Sequence, residues 1–356
     1  MRTLLKNALL DGKPTAVLCE DAKIAAILDP AEPVAADEVI DCEGATLLPG
    51  LVDIHSHGCI GFDTMDGRDL ESMADFYEKN GVTTWYPTTL TESHERLLAT
   101  LSAKTDFDHG AHIPGFHLEG PYINLKYKGA QNEKYVRRPD REEFALFPKI
   151  KRVTIAPETE GALDFIKNCK SAQVSLGHTD TDYATALEAF RLGATSLTHT
   201  CNAMPPLLHR APGPIGAAAV AGAYAEVICD GLHIAEGMIV CLYRIFGAEK
   251  MILISDSMHA TGLADGVFEF GGQPVHVVGG VARTESGALA GSTATLFGCV
   301  RQAMRFGIPA KEAFAMASRN PARLMGIKKG EIAVGYDADF ILVDGEYNLL
   351  KTVIVR

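Results

Sequence analysis

The sequence predicts an α/β protein: a (β/α)8 TIM-like barrel over residues 49–328, joined to a small β-sandwich domain made by both ends of the chain, 1–48 and 329–356. Three observations lead there. Through the middle of the chain short apolar runs alternate with amphipathic stretches, the pattern of βα units on a parallel sheet. Eight such runs can be counted, and no glycine-rich dinucleotide fingerprint follows the first, which favours a closed barrel over a doubly wound sheet. Both ends instead carry short alternating segments parted by turn residues.

The N-terminal segments 15–19, 23–28 and 38–41 lie between Asp-Gly, Asp-Pro and Glu-Gly turns, and 330–332, 338–343 and 350–355 repeat the habit at the other end. The eight barrel strands are expected to end near 55–57, 87–89, 117–119, 155–157, 176–178, 197–199, 227–230 and 253–256. Helical patterns cover 70–80, 93–104, 183–192 and 237–246, with Gly81 and Gly193 placed as helix C-caps. Segments 120–139 and 265–290 read as insertions, the second with a hairpin of 267–270 and 275–278 around Gly271-Gly272.

Composition narrows the class of protein. Hydrophobic residues make up 47% and charged residues 22%, enough to build a core and incompatible with a mainly disordered chain. A formal charge of −12 disfavours nucleic acid or an anionic membrane as a partner. No stretch reaches the roughly 18 apolar residues of a membrane helix, and residues 1–10 are too weakly apolar for a signal peptide, so the cytoplasm is expected. The eight cysteines form no CxxC pair and read as free, mostly buried thiols.

The informative pattern is where polar residues fall. Apolar runs stop at ligand-type side chains in five strands: His55 and His57, His117 and Glu119, His178, His199 and Asp256. In a barrel these positions converge on the C-terminal mouth, where active sites lie. Side chains alternate along a strand with period two, so His55 and His57 share a side. With Glu119, His178, His199 and Asp256 they supply nitrogen and oxygen donors suited to zinc or a similar divalent ion, with a position left open for water. Asp256, in Ser255-Asp256-Ser257, could take a proton from such a water and pass it to a leaving nitrogen, or serve only as ligand or helix cap.

The segments Leu48-Pro49-Gly50-Leu51-Val52-Asp53-Ile54-His55-Ser56-His57-Gly58, His117-Leu118-Glu119-Gly120-Pro121, Leu176-Gly177-His178-Thr179, Thr198-His199-Thr200-Cys201-Asn202-Ala203-Met204, Asp230-Gly231-Leu232-His233 and Ser255-Asp256 resemble those of N-acetylglucosamine-6-phosphate deacetylases of the amidohydrolase superfamily, over nearly the whole chain. The resemblance implies that Glu119, His178 and His199 hold the main metal and that Asp256 is the catalytic acid/base. It implies a second metal at His55 and His57 with Glu119 bridging, hence one or two ions, zinc first and iron or another divalent ion next. It also implies substrate contacts at Ala130, Asn202, Ala203, Arg210, Asp230, His233, Leu289, Ala290 and Gly291, and a homodimer in which Arg210 reaches the partner's substrate. Arg210 suits this, because guanidinium presents a planar fork to phosphate.

One departure stands out: Gln131 occupies a position where some relatives carry histidine. Its amide can hydrogen-bond an acetamido or sugar oxygen but cannot titrate. Trp85 is expected in barrel packing, Arg137-Arg138 and 126–134 on the solvated surface, and His117 beside the metal ligands rather than among them. His259 could line the cleft.

The expected reaction is therefore removal of the N-acetyl group from N-acetylglucosamine 6-phosphate, giving glucosamine 6-phosphate and acetate in amino-sugar catabolism or cell-wall recycling. N-acetylgalactosamine 6-phosphate is the rival substrate. A hydrolase of cyclic amides is disfavoured because Glu119, not lysine, stands at the bridging position. A barrel that had lost its chemistry would lack ligands that are present here.

Overall fold

The structure, a computed structural model, describes residues 1–356. Its eight barrel strands are Leu51–Ser56, Val82–Pro87, Phe116–Glu119, Ile150–Ile155, Gln173–Leu176, Ala194–Leu197, Tyr224–Ile228 and Met251–Ile254, each within about two residues of its expected end. They are buried almost throughout, as parallel strands covered on both faces must be. The third to eighth strands pair in sequence order as one six-stranded parallel sheet, and the first pairs with the second. Two parallel bridges, Thr84 with His112 and Thr88 with His117, join these halves on one side. On the other, Asp256 N donates to His55 O (2.9 Å) and Ser255 Oγ to Asp53 Oδ2 (2.5 Å), which closes the cylinder.

The helices start and stop where side-chain chemistry dictates. Ser93 accepts from the Arg96 amide ahead of helix His94–Leu101, and Asp182 from the Thr185 amide ahead of Tyr183–Leu192. Gly81 and Gly193 follow their helices at φ +86° and +129°, the conformations glycine tolerates best. Trp85 is barrel packing, as expected: it is fully buried, its indole nitrogen donates to Ser56 Oγ (2.6 Å) and its ring lies 4.4 Å from that of Tyr77.

The terminal strands Arg2–Leu10, Lys13–Glu20, Lys23–Leu28, Glu38–Asp41, Thr46–Pro49, Asp339–Val343 and Leu349–Ile354 form one seven-stranded sheet. Asp11 and Gly12, both at positive φ, make the two-residue turn between the first two strands. The sheet rolls up, because Ile24 N donates to Tyr336 O and Ala338 N to Ala22 O (both 2.9 Å), bringing its far edge back to the start of Asp339–Val343. The sandwich is thus a single curled sheet over a core that includes Leu5, Val17, Leu47, Phe340 and Val353.

Two local expectations are corrected. Residues 330–332 form no strand: Gly330 sits at φ +73° with its Cα packed so close to Ser318 that a Cβ would fall 2.4 Å from that residue's carbonyl oxygen. The insertion 265–290 is a three-stranded meander, Gly266–Phe270, Gln273–Val278 and Val281–Thr284, rather than a two-stranded hairpin. The third strand is short and follows Gly279-Gly280 directly, so it carried little periodic signal. No helix is long and apolar enough to cross a membrane. All eight cysteines are free; five are buried, Cys169 and Cys201 are half-buried, and Cys241 is exposed.

Candidate metal centre

Each chemistry-bearing residue sits at or just past a strand's C-terminal end. His178, His199 and Asp256 lie at φ +47°, +30° and +47°, a left-handed conformation that costs a non-glycine residue of order 1–3 kcal/mol. This turn redirects each side chain from the barrel wall into its mouth. Gly177 permits the approach, since a Cβ there would fall 2.6 Å from the Thr198 Cβ.

Glu119 is the hub. Its Oε1 lies 3.2 Å from His55 Nε2, 3.3 Å from His178 Nε2 and 3.0 Å from His199 Nε2, and its Oε2 lies 3.2 Å from His57 Nε2. Asp256 Oδ1 stands 3.5 Å from His55 Nε2 and 3.3 Å from His57 Nε2. Two sets of donor atoms, His55–His57–Glu119 and Glu119–His178–His199, each lie within 4.8 Å of one another, all on buried residues.

The tautomers fit a cation. His178 Nδ1 donates to Tyr127 O (2.7 Å) and His57 Nδ1 to Thr88 O (3.2 Å), which leaves each Nε2 lone pair aimed inward. His178 Nε2 and His199 Nε2 face each other at 3.1 Å, and neither nitrogen of buried His55 has a hydrogen-bond partner. Burial opposes charge on His57, yet Asp256 and Glu119 raise its pKa to about 9. Burial likewise opposes charge on Glu119, but the histidines around it hold its carboxyl well below the usual range. Such a centre demands positive charge, and its imidazole and carboxylate donors suit a divalent ion.

The other expected residues divide. A cavity of about 420 Å³ opens over the centre and is lined by Ala130, Gln131, Asn202, Ala203, His233, Leu289 and Gly291 as well as by His57, Glu119, His178, His199 and Asp256. Asp230 is not in the lining. Its carboxylate accepts from His233 Nδ1 (2.7 Å) and from the Leu232 and His233 amides, so it aims His233. Ala290 is buried in the meander, its amide bonded to Ala282 O, and also stands outside the wall. Arg210 lies on an exposed stretch outside the cavity.

Gln131 lines the cavity, and its amide is also held by the protein itself. Its Oε1 accepts from the Thr91 amide (2.6 Å) and its Nε2 donates to Glu119 Oε2 (2.8 Å), so both ends are engaged within the protein. His117 is no ligand, as expected: its nitrogens meet Thr88 Oγ1 (3.3 Å) and Thr154 Oγ1 (2.8 Å), and burial first, then His55 and Arg152, hold it neutral. His259 lines a separate neighbouring cavity with Asp63 and Glu269. Arg137 is not a solvated surface residue; it grips Glu143 and the carbonyls of Glu92 and Tyr135, pinning the first insertion. Arg138 does lie on the surface, paired with Glu160.

Sequence reasoning missed two contributors. Phe270, from the meander, sets its ring edge-on to His57 at 5.4 Å and forms part of the cavity wall. Its only signal was membership of an apolar strand. Tyr127 acts through a backbone carbonyl, which has no side-chain signature.

The amidohydrolase-family model matches residues 46–355. The N-acetylglucosamine-6-phosphate deacetylase of Bacillus subtilis (strain 168) is 37% identical, over 98% of this chain and 92% of its own length. The N-acetylgalactosamine-6-phosphate deacetylase of Escherichia coli O157:H7 is 34% identical over 96% and 93%. Among solved structures, the N-acetylglucosamine-6-phosphate deacetylase of Pasteurella multocida superposes with a TM-score of 0.92 at 30% identity, covering 99% of this chain and 98% of that one. A mutant of the Mycobacterium smegmatis enzyme, in complex with N-acetyl-D-glucosamine-6-phosphate, gives 0.89 at 31%, covering 99% and 97%. Likeness of this extent in both sequence and fold settles the grouping: the chain belongs to the amidohydrolase family and, within it, groups with the amino-sugar-phosphate deacetylases.

Proposed function

We propose that the protein hydrolyses N-acetyl-D-glucosamine 6-phosphate to D-glucosamine 6-phosphate and acetate, using one or two divalent ions. The observation that carries this is the Glu119-centred set of buried donors beneath an open cavity. Glu119, His178 and His199 would hold the main ion, and His55 and His57 a second, with Glu119 shared; zinc suits these donors best, and iron is the next choice. When bound, such an ion polarises an acyl carbonyl and lowers the pKa of water toward neutrality.

The chain's own groups do the rest. Asp256 is held ionised by His55, His57 and His199 although burial opposes it. It takes the proton of the attacking water as the new C–O bond forms and returns it to the amine as the C–N bond breaks. His233, aimed by Asp230, together with Asn202, Ala203, Leu289 and Gly291, walls the cavity against the sugar phosphate. Phe270 covers the His57 side and limits water there. Arg210 meets no substrate of its own subunit from its exposed position, and it gains a role in a homodimer, across the interface onto the partner's phosphate. The cytoplasm is the compartment this reading assigns to the enzyme.

The galactosamine epimer is the second reading, supported by the 34% identity to the E. coli relative. Acetate release from both sugar phosphates, before and after chelation and with metal content measured on the same sample, tests the assignment. Turnover of the glucosamine substrate that chelation abolishes supports it. Preference for the epimer overturns the sugar, and failure of both substrates in metal-replete protein leaves only the hydrolase class.

A further inference from the structure

Below the donor cluster the barrel interior holds a fully buried ion pair. Arg152, from the fourth barrel strand, meets Glu226, from the seventh, and both are 0% exposed. Neither carboxylate oxygen of Glu226 has a hydrogen-bond partner beyond this charge contact, and Arg152 Nε and Nη1 have none either. Arg152 Nη2, the atom that meets Glu226, otherwise reaches only Ser196 Oγ, at 3.4 Å. As a filler of the barrel this pair is a poor choice, because well-packed apolar residues of similar volume are often as stable or more so.

Its position supplies a reason. Glu226 Oε2 lies 3.6 Å from His55 Nδ1, on the side of the ring opposite Glu119. The outer nitrogens of His57 and His178 are each held by a backbone carbonyl. His55 has no carbonyl in that role, and Glu226 is the one acceptor that stands there. The ring is otherwise confined only by contact, with His117 edge-on at 4.6 Å and His199 at 5.5 Å. A histidine ligand is oriented by what its second nitrogen donates to, commonly a carboxylate.

We propose that Glu226, its charge balanced by Arg152, is the positioning residue for His55: it fixes the hydrogen on Nδ1, directly or through one water, and so turns the Nε2 lone pair toward Glu119. The pair thereby tunes the ion held by His55 and His57 and leaves the one held by Glu119, His178 and His199 largely alone. This rests on the metal reading above.

The test is zinc uptake by purified, chelator-stripped protein, measured by equilibrium dialysis against graded free zinc with elemental analysis, for wild type, Glu226→Gln and the apolar double variant Arg152→Met/Glu226→Leu. Loss of such an outer partner typically weakens metal affinity roughly 10–100-fold, and the loss is expected for one ion only, in both variants. A purely structural role would lower the thermal midpoint without changing the ratio of the two affinities. Wild-type affinity for both ions in either folded variant overturns the proposal while the metal reading stands, whereas a wild type that takes up no zinc brings down both. Independently of variant folding, NMR of zinc-loaded wild type with labelled histidine must show the His55 hydrogen on Nδ1; a proton on Nε2 overturns the proposal.

Discussion

Replacing Gln131 with leucine removes two bonds at once. Its Nε2 donates to the Glu119 carboxylate at 2.8 Å and its Oε1 takes the Thr91 amide at 2.6 Å, with Gln131, Glu119 and Thr91 all at most 3% exposed. A hydrogen bond to a charged group contributes about 1.5–3 kcal/mol. The Thr91 N–H, left buried and unpaired, adds about 1 kcal/mol or more. Leucine has a similar volume and regains part of this through apolar burial, so the net loss in unfolding free energy should be about 2–3 kcal/mol. Urea unfolding of chelator-treated wild type and Gln131→Leu measures it. Gln131→Glu provides a signed control, since two carboxylates in contact force one to stay protonated. Its raised folded-state pKa gives stability that is full below the unfolded value and lost as pH rises, so this variant should fall further behind Gln131→Leu with increasing pH. A change below about 0.5 kcal/mol for Gln131→Leu, the range of an ordinary surface substitution, would refute the reasoning and return Gln131 to the substrate.

Asp256→Asn should lower kcat about 10²–10⁴-fold, as removal of a general acid/base does, with KM little changed and the ion at Glu119, His178 and His199 retained; steady-state kinetics with metal analysis decides it. Chelation should abolish activity and lower the thermal midpoint, both restored by added zinc, because an ion at 100 times its Kd stabilises the folded state by about 2.7 kcal/mol. His112 should make wild type less stable in acid. Burial first, then Lys329 and Arg356, depress its pKa to about 4, against about 6.5 unfolded. Between those values the unfolded chain binds a proton that the folded one refuses, so this contribution falls as pH drops from 6.5 to 4. The gap in unfolding free energy between wild type and His112→Asn should shift by that amount across the window, and a pH-independent gap would contradict it.

Much of the architecture was legible because parallel barrel strands are apolar runs and their ends carry the chemistry. His55 and His57 share a side by strand periodicity alone, and Glu119, His178, His199 and Asp256 each follow an apolar run. Capping made helices such as Tyr183–Leu192 readable, since Asp182 and Gly193 mark both its ends. Where signals were local but ambiguous, the reading slipped. Residues 330–332 look like strand, yet the close approach of Gly330 to Ser318 holds the chain in a bend. Asp230 and Ala290 belong to motifs of the site without lining it, because motif membership does not say which way a side chain points.

What the sequence by itself determined is the set of donors and the strands that carry them, since period and residue type are properties of a short stretch of chain. What only the tertiary structure decided is which atoms face which. Glu119 meets four imidazoles from three other strands, Gln131 in the cavity wall holds Glu119, and Glu226 crosses beneath His55 to Arg152. Those contacts depend on closure of the cylinder between the eighth strand and the first and on left-handed turns at His178, His199 and Asp256. Both are set by packing over the whole barrel, and no single segment encodes them.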